Sequence, residues 1–166
     1  MTIRPETPSD RERIAEITIA AFKNHPHSQN TEQFIIEALR AAGALTLSLV
    51  AEVDGNVVGH IAFSPATISD GSPDWYGVGP ISVWPARQRQ GIGQALVREG
   101  LSRLQSLGAA GCLLVGDPAY YGRFGFRNDP DLVYEGIPQE YFFVLPFGPR
   151  KARGVARFHE GFAARG

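Results

Sequence analysis

The sequence has little of what secreted, membrane or nucleic-acid-binding proteins require. Cys112 is its only cysteine, so no disulfide framework can form, and a reducing compartment fits. The N-terminus lacks the apolar segment of a signal peptide, and no apolar run approaches the length that spans a bilayer. The formal net charge is −1 and the basic residues are distributed, which argues against nucleic acid or a membrane surface as partner. These absences predict a cytoplasmic protein.

A complete set of metal ligands is also missing. His25 and His27 could supply half of a metal site, but no cluster of cysteine, histidine or carboxylate residues completes it. We therefore expect a polar loop there and no metal. Repeats, low-complexity segments and interdomain linkers are absent as well. At 166 residues the chain is long enough to bury a core of its own, and we predict a single domain over 1–166.

The stretch 79–107 carries the most informative pattern in the chain. Residues 81–84 are apolar and bounded by prolines, as expected at the end of a strand. Pro85 then stops the strand, because it lacks the backbone N–H that a ladder needs. Over 92–107 apolar residues recur at the spacing of one helical face. The stretch therefore predicts a strand, a loop and an amphipathic helix.

The loop between that strand and that helix reads Arg-Gln-Arg-Gln-Gly-Ile-Gly over 87–93. Gly91 and Gly93 allow backbone N–H groups to turn towards a ligand without a Cβ in the way. A helix that begins there adds unpaired N–H groups and the positive end of its dipole. Arg87 and Arg89 add positive charge. The loop therefore favours an anion such as a pyrophosphate, although a tight turn with solvated arginines is the simpler alternative.

Two familiar phosphate-binding loops are excluded by spacing. The Walker pattern needs Lys and Ser or Thr after its last glycine, whereas Gln94 and Ala95 follow Gly93. The dinucleotide fingerprint needs a third glycine at the position where Leu96 stands. The loop is therefore neither a P-loop nor a Rossmann loop.

The rest of the chain predicts an α/β protein with a mostly antiparallel sheet. Strand 75–84, the helix over 92–107 and strand 112–115 make one parallel βαβ unit within it. Gly79-Pro80 within a central strand implies a bulge or a parting of neighbouring strands. The last two strands are expected to pair with each other. We expect helices after Thr7 and after Thr31, the second ending at Gly43, and strands at 2–4, 45–53, 57–63, 75–84, 112–115, 141–145 and 154–159.

A second motif occupies 116–126, directly after the apolar strand 112–115. Pro118 can open a short helix there, and Gly125 would close it. From the residues alone, the simplest interpretation of the four aromatic side chains is packing at the edge of the sheet. Cys112, within the apolar strand, is likewise expected to pack rather than to act as a nucleophile. The residues expected to pack are Cys112, Tyr120, Phe124 and Phe126.

The two motifs together resemble the GNAT superfamily of acyl-CoA-dependent N-acyltransferases. Gln88-x-x-Gly91-x-Gly93, preceded by Ile-x-Val-x-Pro, is similar to the acetyl-CoA loop of that family, and the order of elements is also similar over nearly the whole chain. Gly-Asp-Pro-Ala-Tyr-Tyr resembles a subgroup of bacterial predicted N-acetyltransferases. The resemblance implies acetyl-CoA as acyl donor and a primary amine, in a small molecule or a protein, as acceptor. It also implies cofactor contacts at Ile81, Ser82, Val83, Gln88, Arg89, Gln90, Gly91, Ile92, Gly93 and Gln94.

The same resemblance gives Tyr121 a chemical role. Tyr121 stands where the family pattern Phe-Tyr-x-x-x-Gly-Phe has its catalytic tyrosine, whose hydroxyl protonates the departing thiolate. The sequence departs from the wider family at Leu114, where many members have asparagine, and strand 75–84 contains no acidic residue to act as base. His60 is either a buried, hydrogen-bonded histidine or a base that faces the substrate.

Two classes of function follow from these motifs. The first is an N-acetyltransferase in which the amine attacks the thioester directly within a ternary complex. The alternative is a module of the same fold that binds or senses acyl-CoA without catalysis. In the family fold, the loop between the first two helices borders the acceptor site, which implies that role for 24–30. The protein is expected to be a monomer or a homodimer.

Overall fold

The computed structural model describes residues 1–166, and its centre is a mixed sheet. Six strands follow one another across this sheet in the order β1-β2-β3-β4-β5-β7, and β8 joins the far end of β3 and also pairs with β6. The strands are β1 (Thr2–Pro5), β2 (Leu47–Val53), β3 (Asn56–Ile68), β4 (Trp75–Val83), β5 (Gly111–Val115), β6 (Leu132–Val133), β7 (Phe142–Pro146) and β8 (Gly154–Arg157). The helices are α1 (Arg11–Phe22), α2 (Glu32–Ala41), α3 (Ile92–Ser106) and α4 (Pro118–Tyr121).

Antiparallel pairing dominates, as the sequence predicts. β4 and β5 are parallel and are joined by α3, so the predicted βαβ unit is confirmed. The short pair of β6 and β8 is the other parallel one. None of the helices has the length and apolar character needed to cross a bilayer.

The helices cover both faces of the sheet and bury its apolar side chains. On one face, Ile92, Leu96 and Leu104 of α3 are almost fully buried against β2 and β3, as the helical spacing predicts. On the other face, α1 and α2 bury Ile14, Ile17 and Ile36 together with Val50 of β2. Leu107 follows the last residue of α3 and is 59% exposed, so it does not extend the buried face.

β4 and β5 part after only three paired positions. Trp75, Tyr76 and Gly77 of β4 lie opposite 111–113, and no pairing between the two strands continues beyond Gly77. On the other side of β4, the register with β3 shifts between Ile61 and Phe63. The sequence prediction of a bulge or a parting at Gly79-Pro80 is therefore confirmed in both forms. The second half of β4 has one unpaired edge, which faces a gap.

The expected pairing of the last two strands is wrong. β7 pairs antiparallel with β5, on the edge of β5 opposite to β4. β8 instead pairs with Thr67 and Ile68, because β3 extends five residues past the predicted end at Phe63 and offers an edge there. β6, only two residues long, was not predicted, since so short a strand leaves no periodic signal.

The start of the first helix is tied to β1 by a carboxylate. Asp10 accepts hydrogen bonds from Arg4 at 2.7 and 3.1 Å and from the backbone N–H of Thr7 at 2.7 Å. The bonds from Arg4, followed by those from Thr7, lower the pKa of Asp10 to about 2 against the opposing effect of burial. This arrangement holds the capping box that the sequence places at Thr7.

A pH-dependent stability follows from that carboxylate. Because the folded pKa is lower than the ordinary value of 3.8, ionised Asp10 stabilises the fold above that value, and this contribution is lost as pH falls towards 2. We expect Asp10→Asn to lower the free energy of unfolding at neutral pH, measured by urea titration. The difference from wild type should shrink as pH falls from about 4 to about 2. A difference that stays constant over that range would show that the carboxylate charge is not responsible.

Candidate active site

The gap beside β4 exposes backbone groups of its last residues. Trp84 donates its N–H to the carbonyl of Val58 on β3 at 2.8 Å. Since the groups of successive strand residues point to alternate edges, those of Ile81 and Val83 face the gap while those of Ser82 face β3. The Ser82 side chain is buried on the α1 side of the sheet, 3.4 Å from the hydroxyl of Thr18. Ser82 therefore presents neither its side chain nor its backbone groups to the gap.

Gln88 ties the loop back to the strand. Its Nε2 donates to the carbonyl of Val83 at 3.1 Å, which leaves the Val83 N–H as the open group of that residue. A short 3₁₀ turn over Pro85–Arg87 precedes Gln88 and turns the chain away from the sheet. The resemblance implies that Gln88 contacts the cofactor. In the structure its side chain also holds the loop against the end of β4.

The first turn of α3 leaves three backbone donors free. The first helical bond runs from the N–H of Ala95 to the carbonyl of Gly91 at 3.0 Å, so the N–H groups of Ile92, Gly93 and Gln94 have no backbone acceptor. The Ile92 side chain is buried under α3, and only its backbone can serve a ligand. Three unpaired N–H groups at the start of a helix are able to bind an anion.

The loop before α3 keeps its surface open. Gly91 has a φ of 83°, a left-handed conformation that strains any residue with a Cβ, and a Cβ there would meet no protein atom within 4 Å. Arg89 also has a positive φ, of 64°. Arg89 and Gln90 are exposed and Arg87 is half-buried. Neither arginine takes part in an ion pair, so both charges are available to an anion.

Tyr121 is held in a pocket of aromatic rings at the end of β5. Its ring packs so closely on Gly116 that a Cβ there would lie 2.3 Å from it. The rings of Phe126 and Phe143 lie 6.0 and 6.3 Å away, centre to centre. Burial raises the pKa of Tyr121 to about 12, with smaller contributions from Tyr120 and Asp117. The hydroxyl is therefore protonated throughout the neutral range, and it has no hydrogen-bond partner within the protein.

Tyr120 packs against the core, as the sequence predicts, and its hydroxyl also reaches the start of α3. Its hydroxyl oxygen lies 3.4 Å from the position of a Cβ on Gly93, at the start of α3. Phe124 and Phe126 are 9% and 3% exposed, so the expectation that they pack is confirmed. Cys112 is fully buried, and burial raises the pKa of its thiol well above the ordinary value, as suits a packing residue.

Comparison with known proteins identifies the family. Residues 2–128 match the family model of an acetyltransferase (GNAT) domain. The chain belongs to the GNAT acetyltransferase family. The uncharacterized N-acetyltransferase YhbS of Escherichia coli K12 is 39% identical over 128 residues, which cover 76% of this chain and 74% of YhbS. YjhQ, another uncharacterized N-acetyltransferase of that strain, is 36% identical over 136 residues, covering 80% of this chain and 72% of YjhQ.

Solved GNAT structures agree with this assignment. A GNAT family acetyltransferase from Brucella melitensis, in complex with acetyl-CoA, is 50% identical with a TM-score of 0.87, and the match covers 97% of each chain. YhbS from E. coli, in complex with CoA, is 34% identical with a TM-score of 0.85, covering 99% of this chain and 93% of that one. The family, the GNAT fold and the class of acetyltransferase enzyme predicted from the motifs are thereby confirmed.

His60 lies too deep in this GNAT fold to face a substrate. It is fully buried on β3, on the side of the sheet that α1 and α2 cover. Because the Ser48 hydroxyl donates to Glu6, it accepts from Nε2 of His60, 2.8 Å away, and Nδ1 has no partner. Burial is the main cause that lowers the pKa of His60 to about 4, so the ring is neutral. Of the two sequence alternatives, the structure supports the buried, hydrogen-bonded histidine.

The two loop histidines of the GNAT chain lie beyond the end of α1. The rings of His25 and His27 are 6.1 Å apart, and His25 also lies 5.8 Å from the ring of Phe22. Both histidines are exposed. No group of three or more histidine, cysteine or carboxylate residues is arranged to hold a metal ion. Thr18, one turn before the end of α1, contacts Ser82 of β4, so the last turns of α1, which lead into this loop, pack against the second half of β4.

Sequence reasoning missed the Tyr120 hydroxyl at this site. Consecutive residues of a helix point in directions about 100° apart, so Tyr120 and Tyr121 cannot pack in the same way. In the structure their rings meet edge to face, 5.0 Å apart, with Tyr121 turned to Gly116 and Tyr120 to Gly93. The pair Tyr120-Tyr121 in the sequence could have indicated that one of the two hydroxyls points to the start of α3.

Proposed function

We propose that residues 1–166 form one N-acetyltransferase domain that transfers an acetyl group from acetyl-CoA to a primary amine. The observation that carries this proposal is the parting of β4 and β5 beyond Gly77, next to the free N–H groups at the start of α3. The unpaired edge of β4 can pair with the amides of the extended pantetheine arm of acetyl-CoA, and the helix N-terminus can bind its phosphate groups. The Brucella melitensis relative is described in complex with acetyl-CoA, which supports the same donor here.

The pantetheine arm would lie along 81–83 as an added strand. Its amides would bond to the backbone of Ile81 and to the N–H of Val83, whose carbonyl already accepts from Gln88. The pyrophosphate would lie on backbone N–H groups of 89–94, with Gly91 leaving room for it. Arg87 and Arg89 would attract the phosphates by charge, so binding should weaken as salt is added.

The proposed reaction is direct attack of a neutral amine on the thioester carbonyl. The backbone N–H of Ile81 or of Val83 would stabilise the oxyanion, and much of the rate would come from holding both substrates together. As the carbon–nitrogen bond forms and the carbon–sulfur bond breaks, Tyr121 would give its proton to the departing sulfur. The nitrogen would lose its proton to water, because β4 carries no carboxylate and His60 is buried. Solvent would then reprotonate Tyr121.

A panel of primary amines tests this proposal. Each amine is mixed with acetyl-CoA and the protein, and free thiol is measured with Ellman's reagent. We expect thiol release above the rate of acetyl-CoA alone with at least one amine. CoA binding without amine-dependent thiol release across small-molecule and peptide amines would favour the alternative, a non-catalytic acyl-CoA-binding module.

The loop over 24–30 is proposed to border the acceptor. We expect His25→Ala and His27→Ala to change the KM for the amine while leaving the Kd for acetyl-CoA unchanged. Support for this proposal comes from Thr18, near the end of α1, which contacts Ser82 on the side of the sheet opposite α3. Steady-state kinetics and calorimetry measure the two constants separately. Equal effects on both substrates, or none on either, would show that the loop does not border the acceptor.

A further inference from the structure

The ring of Tyr120 is fixed in place by its neighbours. The guanidinium of Arg123 lies over it, 4.5 Å from its centre, and the Nε of Arg123 donates to the Tyr120 carbonyl at 2.9 Å. The rings of Tyr121 and Phe124 meet it edge to face at 5.0 and 5.5 Å. A half-buried side chain held on these sides has lost most of its rotamer freedom before any ligand arrives.

The hydroxyl of this fixed ring has no hydrogen-bond partner in the protein. It lies 3.4 Å from the Cβ position of Gly93, and Cγ2 of Val83 lies 3.8 Å from that same position. The hydroxyl therefore stands at the corner where β4 ends and α3 begins, although it belongs to α4. A free donor at this corner, beside the free N–H groups of α3, points to an anionic ligand.

No other side chain of α4 or of the end of β5 offers an unpaired hydrogen-bond donor to the first turn of α3. Leu114 and Val115 are apolar. The carboxylate of Asp117 accepts from the N–H of Ala119 as the cap of α4, and its charge would repel a phosphate. Tyr121 is turned away, with its ring on Gly116. Tyr120 alone among them has a free hydroxyl directed at the first turn of α3.

We propose that Tyr120 is a cofactor-binding residue whose hydroxyl donates a hydrogen bond to a phosphate oxygen of acetyl-CoA. This rests on the proposed function, because it assumes the pyrophosphate at the start of α3. Burial raises the pKa of Tyr120, so the hydroxyl is present as a donor at neutral pH. The stacked guanidinium of Arg123 adds positive charge near the same phosphate. Tyr120 binds the phosphate end of the cofactor, and Tyr121 acts at the sulfur end.

Tyr120→Phe tests the contact because it removes the hydroxyl and keeps the ring, its stacking and its edge contacts. We expect the Kd for CoA, measured by calorimetry, to rise about tenfold, as for the loss of a hydrogen bond to a charged group. S-acetylpantetheine, which lacks the phosphates, should compete for the site equally well in wild type and variant. Tyr134→Phe is the matched control, since Tyr134 packs on Phe142 and Phe158 in another part of the core and should leave the Kd unchanged.

The outcomes separate this inference from the proposed function. A wild-type protein that binds CoA and a Tyr120→Phe variant with the same Kd would overturn the role of Tyr120 and leave the acetyltransferase proposal standing. Equal weakening for CoA and S-acetylpantetheine would overturn the phosphate contact. If wild type failed to bind CoA, the proposed cofactor site itself would be wrong. The unfolding temperature of the variant should match that of wild type, because the hydroxyl bonds to nothing in the protein.

Discussion

Tyr121→Phe is expected to lower turnover by about 10²–10⁴-fold, the usual loss when a positioned general acid is removed. The affinity for acetyl-CoA should change little. The ring would still pack on Gly116 and against Phe126 and Phe143, so the pocket keeps its shape. Only the proton that we assign to the departing sulfur is lost. Turnover at saturating acetyl-CoA and amine, with an amine for which chemistry limits the rate, measures the effect.

Tyr121→Ala provides the structural comparison. Deleting a packed aromatic ring should lower the free energy of unfolding by about 3 kcal/mol, whereas the phenylalanine variant should stay close to wild type. A Tyr121→Phe variant with full turnover, beside a destabilised Tyr121→Ala, would show that Tyr121 only packs. The thiolate would then leave unassisted or take its proton from water.

Gly93→Glu is expected to abolish detectable binding of acetyl-CoA, with the Kd raised by about 100-fold or more, since a like charge beside a phosphate costs several kcal/mol. Gly93 does not have a positive φ, so the helix backbone accepts a side chain there. A Cβ at Gly93 would lie 3.4 Å from the Tyr120 hydroxyl, at the corner proposed for the pyrophosphate. Calorimetry with acetyl-CoA measures the change.

Gly93→Gln is the matched control for the charge. It adds the same bulk without the carboxylate, so the difference between the two variants isolates repulsion of the phosphates, and that difference should shrink in high salt. Gln94→Ala should be mild, because only the backbone N–H of Gln94 is assigned to the ligand. An unchanged Kd in Gly93→Glu would contradict the assignment of this loop to the cofactor.

Most of the fold could be predicted because its signals are local. The apolar spacing of α3 and the prolines on either side of 81–84 indicate structures that depend on residues close to each other in the sequence. Gly79-Pro80 predicted a bulge or a parting of neighbouring strands, since proline removes a donor from a ladder. The partners of β7 and β8 could not be predicted in this way. Which edge a strand joins depends on residues far away in the chain, such as the extension of β3 to Ile68.

The local features of the candidate site could be predicted in the same way, but its long-range contacts could not. Gly91 and Gly93 mark the loop because glycine is required where a chain takes a left-handed turn or leaves room for a ligand. The sequence could not decide between the two environments of His60, because burial is set by the packing of α1 and α2 over β3. It also could not show that Gln88 bonds to Val83 or that the Tyr120 hydroxyl reaches Gly93. The Gln88 bond depends on the turn at 85–87, and the Tyr120 contact depends on the sheet bringing α4 next to the start of α3.

The central claim is transfer of an acetyl group from CoA to nitrogen at the gap between β4 and β5. The most direct measurement uses acetyl-CoA labelled in the acetyl group, a responsive amine, and detection of both products by mass spectrometry. We predict labelled N-acetyl amine and free CoA in equal amounts with wild type, and a large loss of both with Tyr121→Phe at equal protein. Free CoA without labelled amine, or labelled amine at undiminished rate in Tyr121→Phe and Gly93→Glu, would contradict it.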